Sequence, residues 1–195
     1  MKLLLGTMNP AKVADYQKYL VHSKLEIVTL KDLQFFEEPL EIGATFEQNA
    51  LQKAKFYAER TEYPTLADDG GFEVDALDGR PGIDSSRWLG PNATDEDKIN
   101  KIIELLKDVP EEQRTARLRN VTVIYFPEER DYIMSKGKME GTIPEKPSPV
   151  RVFGFPYRSA LFLPQFNKYY AELDGESHRK AVCKELLLKL EPYLN

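Results

Sequence analysis

Cysteine is almost absent from this chain of 195 residues, since Cys183 is its single example. One cysteine excludes an intrachain disulfide and suits a reducing compartment. Long apolar runs are absent as well. The N-terminal run Leu3–Leu5 stops at Gly6, which is too short for a signal peptide, and no stretch of about 18 apolar residues predicts a membrane span. We therefore expect a cytoplasmic protein without a membrane partner.

An excess of basic charge is also lacking. The chain has 27 Lys and Arg against 32 Asp and Glu, for a net charge of −5. Binding to a nucleic acid backbone needs a concentrated basic surface, so we expect no nucleic acid partner. The remaining composition, 42% hydrophobic and 30% charged, is that of a soluble globular protein. Its length favours one domain, or two joined lobes around a single core.

Strand-like and helix-like segments alternate in the first half of the sequence, and a β-meander is predicted in the third quarter. This order indicates a mixed α/β fold with an elongated, twisted sheet. Predicted strands cover 2–6, 26–30, 116–126, 131–143, 152–157 and 160–163, and residues 65–77 are predicted as two strands separated by a turn at 69–71. The acidic segment 32–41 is predicted as a loop.

Capping residues precede the predicted helices. Asn9 is followed by Pro10, Thr94 precedes the helix 95–107, and Thr45 with Gln48 fits a capping box. A final helix is predicted from 178, with apolar residues four apart on one face at 182, 186 and 190.

The segment 7–12, Thr-Met-Asn-Pro-Ala-Lys, connects a strand to a helix N-terminus. Such a turn presents backbone N–H groups and the positive end of a helix dipole to an anion, and Lys12 can add a full charge beside a phosphate. The alternative is a capped helix with an exposed lysine.

Two adjacent carboxylates, Asp68 and Asp69, follow an apolar strand and precede Gly70. Carboxylate oxygens suit Mg²⁺, and one carboxylate can accept a proton from an attacking water. The alternative is a hairpin turn, because Asp-Gly is a common turn sequence.

Ser177, His178 and Arg179 lie at the predicted start of the last helix, where they can donate hydrogen bonds to a phosphate or a carbonyl. A solvated helix start is the alternative. The aromatic segment 153–157 has rings spaced by Gly154 and Pro156 that can sandwich a nucleobase, although aromatic clusters more often belong to a core.

Taken in order, these segments resemble the noncanonical purine nucleoside triphosphate pyrophosphatases, also called inosine triphosphate pyrophosphatases. The matching blocks are TMNPAK at 7–12, TFEQNALQKA at 45–54, LADDGGFEVDALDGRPGI at 66–83, SSRW at 85–88, FGFPY at 153–157 and SHRKA at 177–181.

The resemblance implies a single domain over 1–195 with two lobes around a central cleft. It implies Mg²⁺-dependent hydrolysis between the α- and β-phosphates of deaminated purine nucleoside triphosphates, by a homodimer. By position, Thr7, Asn9 and Lys12 would hold the triphosphate. Asp69 would bind metal and accept the proton, with Asp68 beside it.

The remaining implied contacts concern the base and the second metal ligand. Phe155 and Tyr157 match positions that flank the base, and His178 and Arg179 match a pair near the base and its carbonyls. Gln48 stands where the family pattern carries a metal-binding glutamate, and its neutral carbonyl lacks the charge that helps to displace water.

Three further departures concern substrate contacts. Gly70 replaces a serine, Arg158 replaces a base-reading aspartate, and the short segment 174–176 lacks a base-contacting lysine. Arg158 can only donate hydrogen bonds, so it suits acceptors such as purine O6 and N7, or a phosphate. Two hypotheses follow: an enzyme with weakened or redirected hydrolysis, and a nucleotide-binding or scaffold protein that has lost turnover.

Overall fold

A computed structural model describes residues 1–173 and 177–194 of the chain. Within them the α-helices are α1 (Pro10–Tyr19), α2 (Phe46–Thr61), α3 (Asp95–Leu106) and α4 (His178–Leu190). The strands are β1 (Lys2–Leu5), β2 (Glu26–Thr29), β3 (Thr65–Val74), β4 (Pro81–Gly82), β5 (Thr115–Phe126), β6 (Asp131–Thr142), β7 (Phe162–Leu163) and β8 (Lys168–Tyr169).

The sheet order is β2-β1-β3-β5-β6-β7-β8, and β4 pairs with β3. Strand β1 is parallel to β2 and β3, whereas the pairs β3–β4, β6–β7 and β7–β8 are antiparallel. Residues 127–130 connect β5 to β6, as expected from the strands predicted at 116–126 and 131–143. The prediction of a mixed α/β fold with a mixed sheet is confirmed.

The chain forms two compact units. The first unit contains Met1–Asp69, Asn120–Gly137 and the described residues from His178 onward, and the second contains Gly70–Arg119 and the described residues of Lys138–Ser177. Among the described residues, no helix is both long enough and apolar enough to cross a membrane.

The first unit has its own core between α1, α4 and the sheet. The core residues predicted at four-residue spacing in α4 are all buried: Val182, Leu186 and Leu190. They pack with Leu3 and Tyr16. A separate core in the second unit contains buried residues from β3, α3 and the segment after β6: Phe72, Val74, Ile102, Leu106, Tyr157, Leu161 and Tyr170.

The predicted helix starts are confirmed at α1 and α3. The Asn9 side chain accepts hydrogen bonds from the N–H groups of Ala11 and Lys12, with Pro10 at the first helical position. Thr94 forms a reciprocal capping box with Asp97. The helix from Asp95 ends at Leu106, one residue before the predicted end.

The predicted turn at residues 69–71 is wrong, because β3 continues without interruption from Thr65 to Val74. A β-carbon at Gly71 would lie 2.1 Å from the carbonyl oxygen of Gly82 in β4. This glycine therefore permits the close approach of a neighbouring backbone, and it does not form a turn.

The strand predicted at 152–157 is also absent. Gly154 has a φ of 77°, a conformation that glycine adopts easily. Pro156 then begins a single 3₁₀ turn, Pro156–Arg158. Because proline fixes its own φ and carries no N–H for a sheet, this sequence bends where the apolar pattern predicts extension.

Candidate functional site

The turn between β1 and α1 lies in the first unit and is held by side-chain hydrogen bonds that cap the helix, and its role as an anion site stays a prediction. Thr7 Oγ1 accepts a hydrogen bond from the Asn9 N–H at 3.2 Å. Asn9 Oδ1 accepts from the Ala11 N–H at 2.9 Å and the Lys12 N–H at 3.3 Å. These bonds fix the start of α1, so the positive end of the helix dipole lies beside Lys12.

Asp68 lies between two cationic side chains of the first unit. Its Oδ1 is 2.9 Å from Lys12 Nζ, and its Oδ2 accepts a hydrogen bond from Arg179 Nη2 at 3.2 Å. Arg179 Nη1 is also 3.6 Å from an oxygen of Asp15. The side chain of Asp68 is fully buried, so each charge depends on its partner.

This arrangement lowers the pKa of Asp68. Burial alone raises the pKa of this carboxyl, but the charges of Lys12 and Arg179 and the hydrogen bond from Lys12 outweigh it. The pKa of Asp68 therefore lies well below its usual range, and the side chain stays ionised. Lys12 has a lowered pKa because of burial and the nearby charges of Lys53 and Arg179, which oppose the effect of Asp68.

Asp69 has the opposite shift. Burial raises its pKa and the charge of Glu41 adds to the rise, while a hydrogen bond from Asn49 and the charge of Lys53 oppose it. Asn49 Nδ2 donates to Asp69 Oδ2 at 3.0 Å, which orients the carboxylate. A buried carboxyl with a raised pKa is a better proton acceptor than an ordinary one.

Lys53 extends this cluster from α2. Its Nζ donates to the backbone carbonyl of Asp68 at 3.3 Å and forms an ion pair with Glu41. Burial lowers the pKa of Lys53, but Glu41 and the two aspartates reverse this and raise it. Lys53 therefore remains a cation beside both aspartates.

Gln48 has a structural contact. Its Oε1 accepts a hydrogen bond from the Ala44 N–H at 2.7 Å, while its own N–H donates to Thr45 Oγ1 at 3.2 Å. Of the predicted capping box at the start of α2, the bond to Thr45 is present, but the amide oxygen of Gln48 binds the N–H one residue before the N-cap and not that of the N-cap itself. The side chain is exposed at the helix start, and its role as a metal ligand stays a prediction.

The oxygen donors near Asp69 fit a hard divalent cation. Among residues 1–173 and 177–194, no three His, Cys, Asp or Glu side chains are grouped closely enough to enclose a metal ion. Mg²⁺ does not need such an enclosure, because it commonly binds one or two carboxylates together with waters and substrate phosphates. Asp69 is one such carboxylate, and the charge of Glu41 acts on it.

The aromatic segment lies in the second unit, and Tyr157 is part of its core. The Tyr157 ring is stacked on Phe72, with centroids 4.9 Å apart and an interplanar angle of 13°. Its hydroxyl donates to the carbonyl of Ser85 at 2.9 Å, and burial raises its pKa. A base contact by Tyr157 stays a prediction.

Phe155 and Arg158 are partly exposed. The Arg158 guanidinium carbon lies 4.1 Å from the Phe155 ring centroid and 4.9 Å from that of Tyr170. Aromatic faces hold a planar guanidinium well, so Arg158 has a defined position.

A profile of the Ham1 family matches residues 3–187. The chain belongs to the Ham1 family. The dITP/XTP pyrophosphatase of Dictyoglomus thermophilum is 38% identical over 197 residues, covering 98% of this chain and 95% of that protein. The protein of the same name from Shigella flexneri is 39% identical over 192 residues, covering 95% of this chain and 96% of that protein.

Solved structures agree with this Ham1 assignment. The HAM1 protein of Coxiella burnetii has a TM-score of 0.87 at 30% identity, over 98% of this chain and 99% of that one. The Ham1 protein of Staphylococcus aureus has a TM-score of 0.84 at 28% identity, over 99% and 100% of the two chains. The family resemblance and the fold predicted from the sequence are both confirmed.

In this Ham1-family protein, four predicted site residues are close together in the first unit: Lys12, Asp68, Asp69 and Arg179. Thr7 and Asn9 form the adjoining turn, and His178 is buried at the start of α4. Gly70 directly follows Asp69 in β3. The prediction about a missing lysine at 174–176 lies outside the described residues.

Sequence reasoning missed Asn49 and Lys53 on α2, and Glu41 on the preceding loop. Asn49 and Lys53 are four residues apart, a spacing that places both on one helix face. That spacing was present in the matching block at 45–54. The contact of Glu41 with Lys53 had no sequence signal, because a loop without periodicity does not indicate where its side chains point.

Proposed function

We propose that this Ham1-family protein hydrolyses deaminated purine nucleoside triphosphates, of the inosine and xanthosine type, to the monophosphate and pyrophosphate in the presence of Mg²⁺. One observation carries the proposal. Adjacent aspartates have opposite pKa shifts, so Asp68 stays ionised between Lys12 and Arg179 while Asp69 is a buried carboxyl suited to accept a proton.

The chain is a nucleoside triphosphate pyrophosphatase, and therefore a hydrolase. Its relatives from Dictyoglomus thermophilum and Shigella flexneri, both called dITP/XTP pyrophosphatase, support this class over nearly their full lengths. The narrower choice of deaminated purines rests on the names of those relatives and on the residues described above.

Triphosphate binding is assigned to the turn before α1 and to the cations around it. Thr7 and Asn9 hold the turn in shape, and the helix dipole and Lys12 attract the phosphates. Lys53, paired with Glu41 beside Asp68, adds a second positive charge. A substrate with four negative charges needs such neutralisation before a water can approach its phosphorus.

In the proposed step, a water oxygen attacks the α-phosphorus and its proton passes to Asp69. The bond from the α-phosphorus to the bridging oxygen breaks, and pyrophosphate leaves with the electron pair. Asn49 keeps the Asp69 carboxylate oriented during this transfer. Asp69 and Glu41 or Gln48 would hold Mg²⁺, which when bound neutralises charge on the phosphates.

The base contacts rest on the family pattern and on the chemistry of the side chains. Phe155 offers a partly exposed ring, and His178 offers a donor for a base carbonyl.

Other residues of the family pattern support the site. Arg179 donates a hydrogen bond to Asp68 and lies near Asp15, so its first role is to hold Asp68 in place. Tyr157 supports the segment from within the core of the second unit. Gly70 is proposed to lie near the substrate, without the hydroxyl that a serine would supply.

A nucleotide-binding or scaffold role without turnover is the second candidate. The observation that favours it concerns Gln48. This residue has a neutral amide where the family pattern has a carboxylate, and the amide oxygen is held at the helix start by a hydrogen bond from the Ala44 N–H. Loss of a metal carboxylate weakens catalysis more than nucleotide binding. A cytoplasmic homodimer is proposed under either function.

Pyrophosphate release tests the choice between the two. The panel contains the triphosphates of inosine, xanthosine, deoxyuridine and the four standard nucleosides, each with and without Mg²⁺. Hydrolysis that requires Mg²⁺ and falls by about 100-fold or more in Asp69→Asn supports the enzyme. Triphosphate binding without pyrophosphate release, by protein with an intact thermal transition, contradicts it and supports the second candidate.

A further inference from the structure

The carboxamide of Asn49 joins two segments of the first unit. Its Oδ1 accepts a hydrogen bond from the Gly43 N–H at 2.8 Å, and its Nδ2 donates to Asp69 Oδ2 at 3.0 Å. The residue is 1% exposed, so the amide is shielded from competing water. Asn49 therefore connects the end of the loop before α2 directly to the proposed proton acceptor.

The two partners of Asn49 fix the direction of its amide. The Gly43 N–H can only donate, so it faces the amide oxygen, and Nδ2 then faces Asp69. A reversed amide would place two donors together at Gly43 and two acceptors together at Asp69. Each hydrogen bond therefore selects the amide orientation that the other bond requires.

Gly43 is the residue that permits this contact. A β-carbon at position 43 would lie 2.5 Å from Asn49 Oδ1 and 2.8 Å from Gln48 Cβ, which is too close for any side chain. Because glycine has no β-carbon, the loop backbone can approach the start of α2. The end of the loop is thus held at a defined place by Asn49.

A second connection runs beside the first. Glu41 forms an ion pair with Lys53, whose Nζ donates to the Asp68 carbonyl at 3.3 Å. Asn49 and Lys53 are four residues apart in α2, so they lie on one face of the helix. Through that face, the end of the loop is joined to two adjacent residues of β3.

We propose that Asn49 is a positioning residue that couples the end of the loop at Gly43 to the orientation of the Asp69 carboxylate. This inference rests on the proposed function, in which Asp69 accepts the proton of the attacking water. Movement of the loop end turns the Asp69 carboxylate, and a change at Asp69 loosens the loop end in return, because coupling between two sites is reciprocal.

The test is a double-mutant cycle read from hydrogen exchange of the Gly43 amide, measured by nuclear magnetic resonance. Asn49→Ala should raise the exchange rate about 10-fold, as expected for the loss of one shielded hydrogen bond. Asp69→Ala should raise it about 3-fold or more, because Asn49 then loses one of its two anchors. The double variant should exchange at the rate of Asn49→Ala alone.

Two results of this cycle would overturn the inference. One is a Gly43 exchange rate that Asp69→Ala leaves unchanged. The other is a double variant in which the two effects multiply, since independent effects show that Asn49 does not connect the two sites. If Asn49→Ala does not fold, Asn49→Asp takes its place in the cycle, and Asp69→Ala should again add no further exchange.

Kinetics with inosine triphosphate and Mg²⁺ separate positioning from substrate binding. Asn49→Ala should lower kcat by roughly 10- to 100-fold and change KM by less than about 3-fold, because a misplaced proton acceptor slows the step itself. Asn49→Asp keeps an acceptor for Gly43 but loses the donor to Asp69. It should lose as much kcat as Asn49→Ala, with slower Gly43 exchange.

Asn120→Ala is the matched control. Asn120 is a second carboxamide of the first unit at 1% exposure, and its Nδ2 donates to Thr122 Oγ1 at 2.9 Å. Its loss should leave Gly43 exchange unchanged once global stability is taken into account. A raised KM with an unchanged kcat in Asn49→Ala would overturn the positioning role. A wild type that hydrolyses no triphosphate contradicts the proposed function instead, and the Gly43 cycle then decides the inference alone.

Discussion

Two neighbouring aspartates have different chemistry because their surroundings differ. Asp68 is held by Lys12 and Arg179, so its pKa lies below the usual range although the side chain is buried. Asp69 accepts a hydrogen bond from the Asn49 amide, and burial raises its pKa. Residues adjacent in a strand point to opposite faces of a sheet, which is why such neighbours can meet different groups.

Asp68→Asn tests the buried ion pairs. The folded-state pKa of Asp68 is depressed, so its stabilisation is complete above the ordinary value of 3.8, begins to decline below that value, and is lost as the pH falls through the depressed folded-state pKa. At pH 7 the variant leaves two buried cations short of a carboxylate and should lose about 3–5 kcal/mol of unfolding free energy. Urea titrations measure this at pH 7 and pH 3. The difference between the two proteins should shrink at pH 3, and a constant difference would contradict the assignment.

The variants Glu41→Gln and Gln48→Glu test whether residue 41 or residue 48 is the second metal ligand. The charge of Glu41 acts on Asp69, whereas the Gln48 amide is bonded to the Ala44 N–H. We expect Glu41→Gln to raise the Mg²⁺ concentration for half-maximal hydrolysis about 10-fold, by analogy with the loss of a metal-site partner. Gln48→Glu should leave it unchanged. Manganese binding followed by electron paramagnetic resonance gives the same comparison without turnover, and tighter binding by Gln48→Glu would place the ligand at position 48.

The sequence predicted which candidate residues lie close together better than it predicted their contacts. Lys12, Asp68, Asp69 and Arg179 were selected from short motifs, and the first unit brings them together. Glu41 was missed because its contact with Lys53 depends on the path of an irregular loop. Such paths are set by tertiary contacts, which local patterns do not encode.

Strand β3 shows how one motif can have two structural meanings. Asp-Asp-Gly-Gly is a common turn sequence, yet β3 passes through it without a break. Whether this sequence forms a turn or a strand depends on a distant residue, Gly82, whose backbone lies against Gly71. Helix starts were predicted more reliably than this strand, because capping by Asn9 and Thr94 depends only on nearby residues.

Gly71→Ala tests the close approach of β3 and β4. The new methyl group would meet the Gly82 carbonyl oxygen at 2.1 Å, so the variant should lose about 1–3 kcal/mol of unfolding free energy. Gly90→Ala is the matched control, since Gly90 has a φ of 86° but open space around its β-carbon position. Its cost is the left-handed backbone alone, about 1 kcal/mol. Equal stability of Gly71→Ala and the wild type in urea would show that the two backbones can separate at no cost.

At the scale of the whole molecule, the fold class was predictable from the sequence, whereas the division into two units with separate cores was not. Alternating strands and helices indicated the mixed α/β class, and buried residues at helical spacing indicated the core face of α4. The division into two compact units had no comparable signal, because β3, β5 and β6 each contribute residues to both units.

A homodimer is the proposed assembly. Sedimentation equilibrium should give twice the mass of one chain at micromolar concentration, and this mass should persist in Asp69→Asn, whose change lies at a buried site residue. A single-chain mass across the concentration series would contradict the dimer while leaving the proposed chemistry intact.

The most direct test of the central claim is hydrolysis of inosine triphosphate in ¹⁸O-labelled water with Mg²⁺, followed by mass spectrometry of the products. Attack at the α-phosphorus with Asp69 as proton acceptor predicts one labelled oxygen in the monophosphate, unlabelled pyrophosphate, and a rate about 100-fold or more lower in Asp69→Asn. Label in pyrophosphate, release of orthophosphate, or an undiminished rate in Asp69→Asn would contradict it.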